Sequence, residues 1–343
     1  MFEFTSPKRG RNRKLRILLG SVTLALAATA VWLLRMTQMP LHSYRLPLPP
    51  LTNEQAEIRD HLTPDVKYLS ETIGERNLSR PGTLPATLKY LQGRLEQLGY
   101  TVVAHPFQVD GQEVSNLEVV LPGNGESAGA VIVGAHYDTA EGAPGANDNG
   151  SGVAGVLELA RLLRGRKLEK TIRLVFFVNE EPPYFQTDDM GSVVYARELR
   201  KEGVAVSAMI SLETIGYYSD APGSQKYPAL LGMFYPDRGN FIGFVANPES
   251  RSLVRRVIRT FRESAKFPSE GIAAPEFWPG IGWSDQWSFW RQQYPAIMVT
   301  DTAPFRYDYY HTPSDTAARV DFEKMARVVD GIHRVVESLA TER

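Results

Sequence analysis

Apolar residues along this chain follow two alternating periods, one typical of buried strands and one typical of helices. The run 131–135 is apolar, rich in β-branched residues and too short for a helix, whereas apolar residues over 153–164 recur at helical spacing. Strands are predicted at 131–135, 172–178, 206–212 and 294–300, with helices at 153–164 and 189–201. This order predicts an α/β fold with a mostly parallel central sheet and helices on both faces.

The region before this alternation predicts two helices followed by a pair of strands. Residues 54–73 look helical, and residues 83–98 carry apolar side chains at helical spacing up to Gly99. Residues 100–109 and 114–121 alternate between apolar and polar, and they flank an Asp-Gly turn. We therefore expect a hairpin beside the main sheet.

The amino terminus predicts a membrane anchor. The uncharged residues 17–34, at a rise of ~1.5 Å each, reach most of the way across a hydrocarbon core. The preceding segment, 1–16, is basic and is expected to stay in the cytoplasm, which places the rest of the chain on the other side of the membrane. A cleaved signal peptide is the alternative, since two small-residue motifs lie within this stretch, but apolar residues continue past both to Leu34.

The remaining organisation is a tether and one large domain. Residues 36–51 hold four prolines and predict an extended linker. Residues 52–343 then form the predicted catalytic domain, because a chain of 343 residues that is 43% hydrophobic can bury a large core.

Charge and composition exclude some classes of function. The net charge is −1, and the only block of like charge is the basic amino terminus, so we expect no nucleic-acid partner. The chain has no cysteine, so a metal here must be held by His, Asp or Glu.

Histidine and acidic residues follow the predicted strands where each strand ends. His136 and Asp138 follow the first strand, Glu180 and Glu181 follow the second, and Glu213 ends the third. Each cluster alone suits a solvated loop, but the carboxyl ends of parallel strands meet at one sheet edge, where ligands bind. Carboxylates gathered there without a cation would raise one another's pKa, whereas zinc accepts His and carboxylate ligands.

Five short motifs carry a resemblance to a known family. They are HYD at 136–138, NDNGSG at 147–152, NEE at 179–181, LETIG at 212–216 and YHTPSDT at 310–316. In order and spacing the chain resembles the two-zinc aminopeptidases over roughly 63–340, and more distantly glutamate carboxypeptidase and glutaminyl cyclase. The resemblance implies a zinc-dependent exopeptidase that removes N-terminal residues from peptides with two Zn²⁺ ions per chain.

The resemblance also implies a role for each motif residue. The residues that match zinc ligands are His136, Asp148, Glu181, Glu213 and His311, with Asp148 bridging the two ions. Glu180 matches the general base that takes a proton from the metal-activated water. Asp138 matches the carboxylate that orients the first histidine. Tyr310 matches the phenol that hydrogen-bonds the developing oxyanion.

Other readings stay open at this point. One is a glutaminyl cyclase with a single zinc, and another is an inactive binding ectodomain of the same fold. The acid that binds the substrate amino group is undetermined among Asp188, Asp285 and Asp301, and Gln286 stands where the family often has histidine. The apolar insertion 182–185 could shape specificity. The aromatic stretch 277–290 predicts a hydrophobic first residue in the substrate, or ordinary core packing.

Overall fold

A computed structural model describes residues 1, 9–125 and 129–341 of the chain. They divide into two compact units, Met1–Gln38 and Met39–Arg343. In the first unit, helix α1 spans Arg9–Thr37, and its part Leu18–Thr37 is long and apolar enough to cross a membrane or to serve as a signal sequence. Residues 2–8, including Lys8 of the predicted basic segment, lie outside the described residues.

The second unit begins at Met39, before the predicted start of the domain. Residues 39–51 contain no helix or strand, but they lie against the domain. Arg262 donates hydrogen bonds to the carbonyls of Pro40 and Leu41, and Arg327 donates one to the carbonyl of Pro49. Residues 39–51 of the predicted extended linker are therefore packed on the folded unit.

In the described part of the chain, eight strands form one sheet in the order β1-β2-β4-β3-β5-β8-β6-β7. The strands are β1 Val102–Val109, β2 Gln112–Leu121, β3 Ala130–His136, β4 Ile172–Phe177, β5 Val206–Glu213, β6 Ile242–Ala246, β7 Ser269–Ala273 and β8 Ala296–Thr300. The four central strands, β4, β3, β5 and β8, run parallel. The hairpin β1–β2 joins them antiparallel at one side, and the parallel pair β6–β7 does so at the other.

The helices cover both faces of this sheet, as the sequence predicts. They are α2 Asn53–Lys67, α3 Thr83–Gln97, α4 Gly150–Leu163, α5 Gly191–Lys201, α6 Arg251–Ser264, α7 Gln286–Arg291 and α8 Phe322–Thr341. Helix α2 starts with a capping box between Thr52 and Gln55 and continues into a π-helical turn at Tyr68–Ile73. Helices α2, α4 and α8 contact one another, and α5 packs with α7.

The chain leaves β3 towards one edge of the sheet and then returns to the other side of β3, and this change of direction locates a crevice. The connection β3–α4–β4 moves to one side of the sheet, whereas β4–α5–β5 crosses to the other. Right-handed crossovers then place α4 and α5 on opposite faces. The crevice between the carboxyl ends of β3 and β5 is the place where open α/β sheets bind ligands.

Candidate metal centre

Strand register brings the predicted ligands to that crevice. His136 is the last residue of β3 and Glu213 the last of β5, and Gly134 pairs with Ser211 two residues earlier. Since both strands run parallel, the two side chains lie beside each other on one face. Glu181 arrives on the loop after β4, and His311 on the loop after β8.

Two groups of ligand atoms share Asp148. His136 Nε2 lies 3.5 Å from Asp148 Oδ1 and 3.2 Å from Glu213 Oε2. His311 Nε2 lies 3.1 Å from Asp148 Oδ2 and 3.1 Å from Glu181 Oε2. Each group of three could hold one metal ion, and the two oxygens of Asp148 face different groups.

The geometry of these atoms fits zinc. Ligands ~2.0–2.1 Å from a tetrahedral ion lie roughly 3.3 Å from one another, close to the separations just given. His136 Nε2, both oxygens of Asp148 and His311 Nε2 are buried and make no hydrogen bond within the described residues. Buried polar atoms are almost always satisfied, so these atoms point at a position for a cation.

Glu180 belongs to neither of the two groups that share Asp148, although it forms a third possible group with His136 and Glu181. Its Oε2 lies 3.8 Å from His136 Nε2, farther than Asp148 Oδ1 at 3.5 Å or Glu213 Oε2 at 3.2 Å. Asp138 positions this glutamate, because its carboxylate accepts hydrogen bonds from the backbone N–H groups of Glu180 and Glu181 at 3.1 Å each. Asp138 Oδ1 also lies 3.5 Å from His136 Nδ1, on the far side of the ring.

Electrostatics at the site favour a bound cation. Burial raises the pKa of Glu180 well above its usual range, and the neighbouring carboxylates of Glu213 and Glu181 add to this effect. Burial and the charge of Asp148 raise the pKa of Glu181 to about 7. A cluster of acids in this state costs folding free energy unless divalent cations compensate their charges.

The loop that carries Asp148 is held by side chains on both sides of that residue. Asn149 Oδ1 accepts hydrogen bonds from the N–H groups of Gly152 and Thr214. Asn147 donates to Asp301, and its carbonyl oxygen accepts from the hydroxyl of Ser151. The asparagines of the NDNGSG motif therefore hold Asp148 in place through hydrogen bonds on both sides.

Two further residues support the site and carry no role in the sequence prediction. Asp315 accepts hydrogen bonds from the N–H groups of Asn147 and Asp148 at 2.9 and 3.0 Å. Arg76 is fully buried and donates to the carbonyls of Tyr137 and Gly145, on the two sides of the loop. Burial lowers the pKa of Arg76 to about 10, so it stays cationic at neutral pH beside the acidic cluster.

Three of the eight non-glycine residues with positive φ in the described part of the chain lie at the same place. Asn179, Thr214 and His311 have positive φ values of 60°, 48° and 56°, although none is glycine. Asn179 directly precedes Glu180, and Thr214 directly follows Glu213. Such conformations cost about 1–3 kcal/mol each and cluster at functional sites. Here the hydrogen bond from the Thr214 N–H to Asn149 holds one of them in place.

The other predicted site residues lie in different environments. The ring of Tyr310 stacks on His311 with centroids 3.8 Å apart, beside the ligand groups. Asp285 is fully buried, and its two carboxylate oxygens have no hydrogen-bond partner among the described residues. Asp301 accepts from Asn147 and from the Tyr217 N–H, whereas Asp188 is exposed and pairs with Arg197. Among these acids, the negative charge of Asp285 adds to the raised pKa of Glu180.

Two cavities open beside the ligand groups. The cavity with more total free space, about 770 Å³ including space open to solvent, reaches Glu213 and Tyr310 and is called the larger cavity. The smaller is lined by Glu181 and by the apolar insertion, including Pro182 and Tyr184. From the predicted aromatic stretch, Trp283 lines the larger cavity, while Phe277 is 82% exposed.

The profile of peptidase family M28 matches residues 116–336, which span most of the chain and contain every motif of the site. The chain belongs to peptidase family M28. The predicted resemblance to the two-zinc aminopeptidases is thereby confirmed, and this M28 chain falls in a family of metallopeptidases.

Relatives of this M28 chain include the uncharacterized protein YfbL of Escherichia coli, which is 39% identical over 80% of this chain and 86% of its own length. Leucine aminopeptidase 1 of Arthroderma otae is 28% identical over 63% of this chain, which spans 56% of that protein. The M28 chain therefore covers about half of the leucine aminopeptidase.

Solved structures confirm the predicted fold. The LapA aminopeptidase of Legionella pneumophila matches with a TM-score of 0.68 and 20% identity, covering 87% of this chain and 78% of LapA. The glutaminyl cyclase of Porphyromonas gingivalis matches with a TM-score of 0.61 and 20% identity, covering 82% and 98%. At these identities the comparisons show a shared fold alone, so the reaction has to be inferred from the residues of the site.

Proposed function

We propose that this M28 chain is a membrane-anchored aminopeptidase that holds two zinc ions and removes N-terminal residues from peptides. The observation that supports it best is the pair of ligand groups that share Asp148, with Glu180 just outside both. A single-zinc cyclase needs only one such group, whereas here His136 and Glu213 complete a second. The competent residues at every position also argue against an inactive ectodomain.

The proposed zinc ligands are His136, Asp148 and Glu213 for one ion and Asp148, Glu181 and His311 for the other. When bound, the pair supplies Lewis acidity for the scissile carbonyl and lowers the pKa of the attacking water. Asp138 fixes the orientation of His136 from its Nδ1 side, which is a common arrangement for a metal-binding histidine.

Glu180 is the proposed general base. It takes a proton from the attacking water and passes it to the leaving amine, so the peptide C–N bond breaks and a carboxylate and a free amine form. Its raised pKa suits a group that must hold a proton between these two steps, and burial is the main cause of that shift. Tyr310, stacked on His311, is placed to donate to the oxyanion that develops on the scissile carbonyl.

The test is a comparison of free and blocked amino termini. We expect the purified protein to hydrolyse aminoacyl-anilides and short peptides but not their N-acetylated forms, with a difference in kcat/KM of at least ~10²-fold, because an exopeptidase uses the free amino group to position the substrate. Glu180→Gln protein purified in parallel controls for contaminating peptidases. Equal rates on free and acetylated substrates would refute exopeptidase action, and cyclisation of N-terminal glutamine would indicate a cyclase.

The proposed location follows from α1. The basic residues before the apolar span favour a cytoplasmic amino terminus, so the catalytic unit would face away from the cytoplasm. Externally added protease should then degrade the catalytic unit in spheroplasts of an expressing bacterium while a cytoplasmic marker survives. Protection of the unit together with the marker would contradict this topology.

A further inference from the structure

The larger cavity has aromatic walls and a single carboxylate at the end away from the metal centre. Glu213 and Tyr310 line the end at the proposed zinc ligands, and Glu270 lines the other. The walls between them include Tyr227, Tyr235, Trp283 and Phe305. Aromatic faces and a terminal acid are a combination that attracts organic cations.

Strand register gives the distance between the two ends. Glu213 pairs with Thr300 across β5 and β8, Thr300 with Gly243 across β8 and β6, and Gly243 with Glu270 across β6 and β7. The four residues form one row perpendicular to the strands, so their side chains share one face of the sheet. Three strand spacings of ~4.8 Å place the Cα atoms of Glu213 and Glu270 roughly 14 Å apart.

The two residues in the middle of the row are small, so little side-chain volume rises from the sheet there. Gly243 has no side chain, and a Cβ atom there would lie 3.2 Å from the carbonyl oxygen of Thr300 and 3.4 Å from Thr302 Cγ2. Thr300 is the other small residue of the row. An elongated group that lies along the row from Glu213 to Glu270 would pass beside the methyl group of Thr302, which also lines the cavity.

The negative charge of Glu270 is only partly compensated. Arg262 approaches to 3.8 Å from Glu270 Oε2, which is beyond hydrogen-bond distance. The guanidinium of Arg262 is occupied elsewhere, since it donates to the carbonyls of Pro40, Leu41 and Ser269. Burial raises the pKa of Glu270, and the charges of Arg262 and Arg45 together with a hydrogen bond from Ser43 offset only part of that effect. A further cation would stabilise this carboxylate.

We propose that the larger cavity binds the side chain of the substrate's first residue and that Glu270 selects lysine or arginine there. The inference rests on the aminopeptidase function proposed above. An extended lysine or arginine side chain spans roughly 6–7 Å from Cα. It fits the row when its charged end is a ~3 Å hydrogen bond from Glu270 and the substrate's amino group is a ~3 Å hydrogen bond from Glu213. This proposal differs from the hydrophobic first residue that the sequence predicts, and the experiment below decides between them.

The test compares lysyl-anilide with norleucyl-anilide, whose side chain is that of lysine without the ammonium group. We expect wild-type kcat/KM to be about 10-fold or more higher for lysyl-anilide, and Glu270→Gln to lower that ratio by ~10-fold or more, since a partly buried charge pair is lost. Glu263→Gln, which removes the same charge from an exposed position on α6, should leave the ratio unchanged. Free arginine should bind the wild type more tightly than norleucine in calorimetry, and Glu270→Gln should remove this difference.

Three outcomes separate the possibilities. If the wild type cleaves norleucyl-anilide as fast as lysyl-anilide, the proposed selection by Glu270 is overturned. This comparison uses the wild type alone, so it does not depend on whether a variant folds. A Glu270→Gln protein that loses activity on both substrates by the same factor also overturns it, because Glu270 then supports the strand and not the ligand. Failure to cleave any anilide refutes the aminopeptidase function itself.

Discussion

Replacing Glu180 with glutamine should lower kcat for aminoacyl-anilide hydrolysis by ~10²–10⁴-fold and leave the zinc content unchanged. The amide keeps the size of the side chain but cannot take a proton from water. Zinc should stay because Glu180 belongs to neither of the two groups that share Asp148, and each of those groups keeps its three ligand residues in this variant. Steady-state kinetics and elemental analysis on the same preparation give both values.

The matched control is the next residue in the chain. Glu181→Gln makes the same chemical change one position later, but Glu181 Oε2 lies 3.1 Å from His311 Nε2 in the second ligand group. We expect this protein to lose zinc from that group. If Glu180→Gln lost metal and Glu181→Gln kept it, the assignments of base and ligand would be reversed.

Asp148→Asn should remove both zinc ions and all measurable peptidase activity. The two oxygens of Asp148 face separate ligand groups, so one substitution weakens both. Loss of each zinc ion present at a hundred times its Kd costs ~2.7 kcal/mol, so loss of both should lower the Tm by roughly 8 °C in a unit of about 300 residues. Zinc analysis and thermal unfolding by circular dichroism measure the two effects.

Asp308→Asn is the control for this substitution. Asp308 is exposed on the loop that leads to His311, so the same change there should alter neither zinc content nor Tm. An Asp148→Asn protein that retained one full equivalent of zinc would show that Asp148 is not shared between the groups.

The central part of the fold could be predicted because its strands carry an unambiguous pattern. β3, β4, β5 and β8 are short apolar runs, and each ends at or shortly before a polar cluster, so period and position agree. The parallel order then brings their carboxyl ends together, which is why motifs far apart in the sequence converge in one crevice.

Other features could not be predicted because their role depends on tertiary contacts. β6 and β7 are only five residues long, and nothing in their pattern shows that they extend the sheet. Arg76 is a single arginine whose burial becomes evident only when the loop around Asp148 folds over it. Glu270 lies far from every motif in the sequence and enters the larger cavity only through strand pairing.

The number of zinc ions that an active chain binds tests the account most directly. Protein stripped of metal and titrated with zinc should take up two equivalents per chain and regain activity on a free aminoacyl-anilide as they bind. The expectation follows from two ligand groups that share Asp148. Full activity with a single equivalent, or activity with no zinc at all, would contradict it.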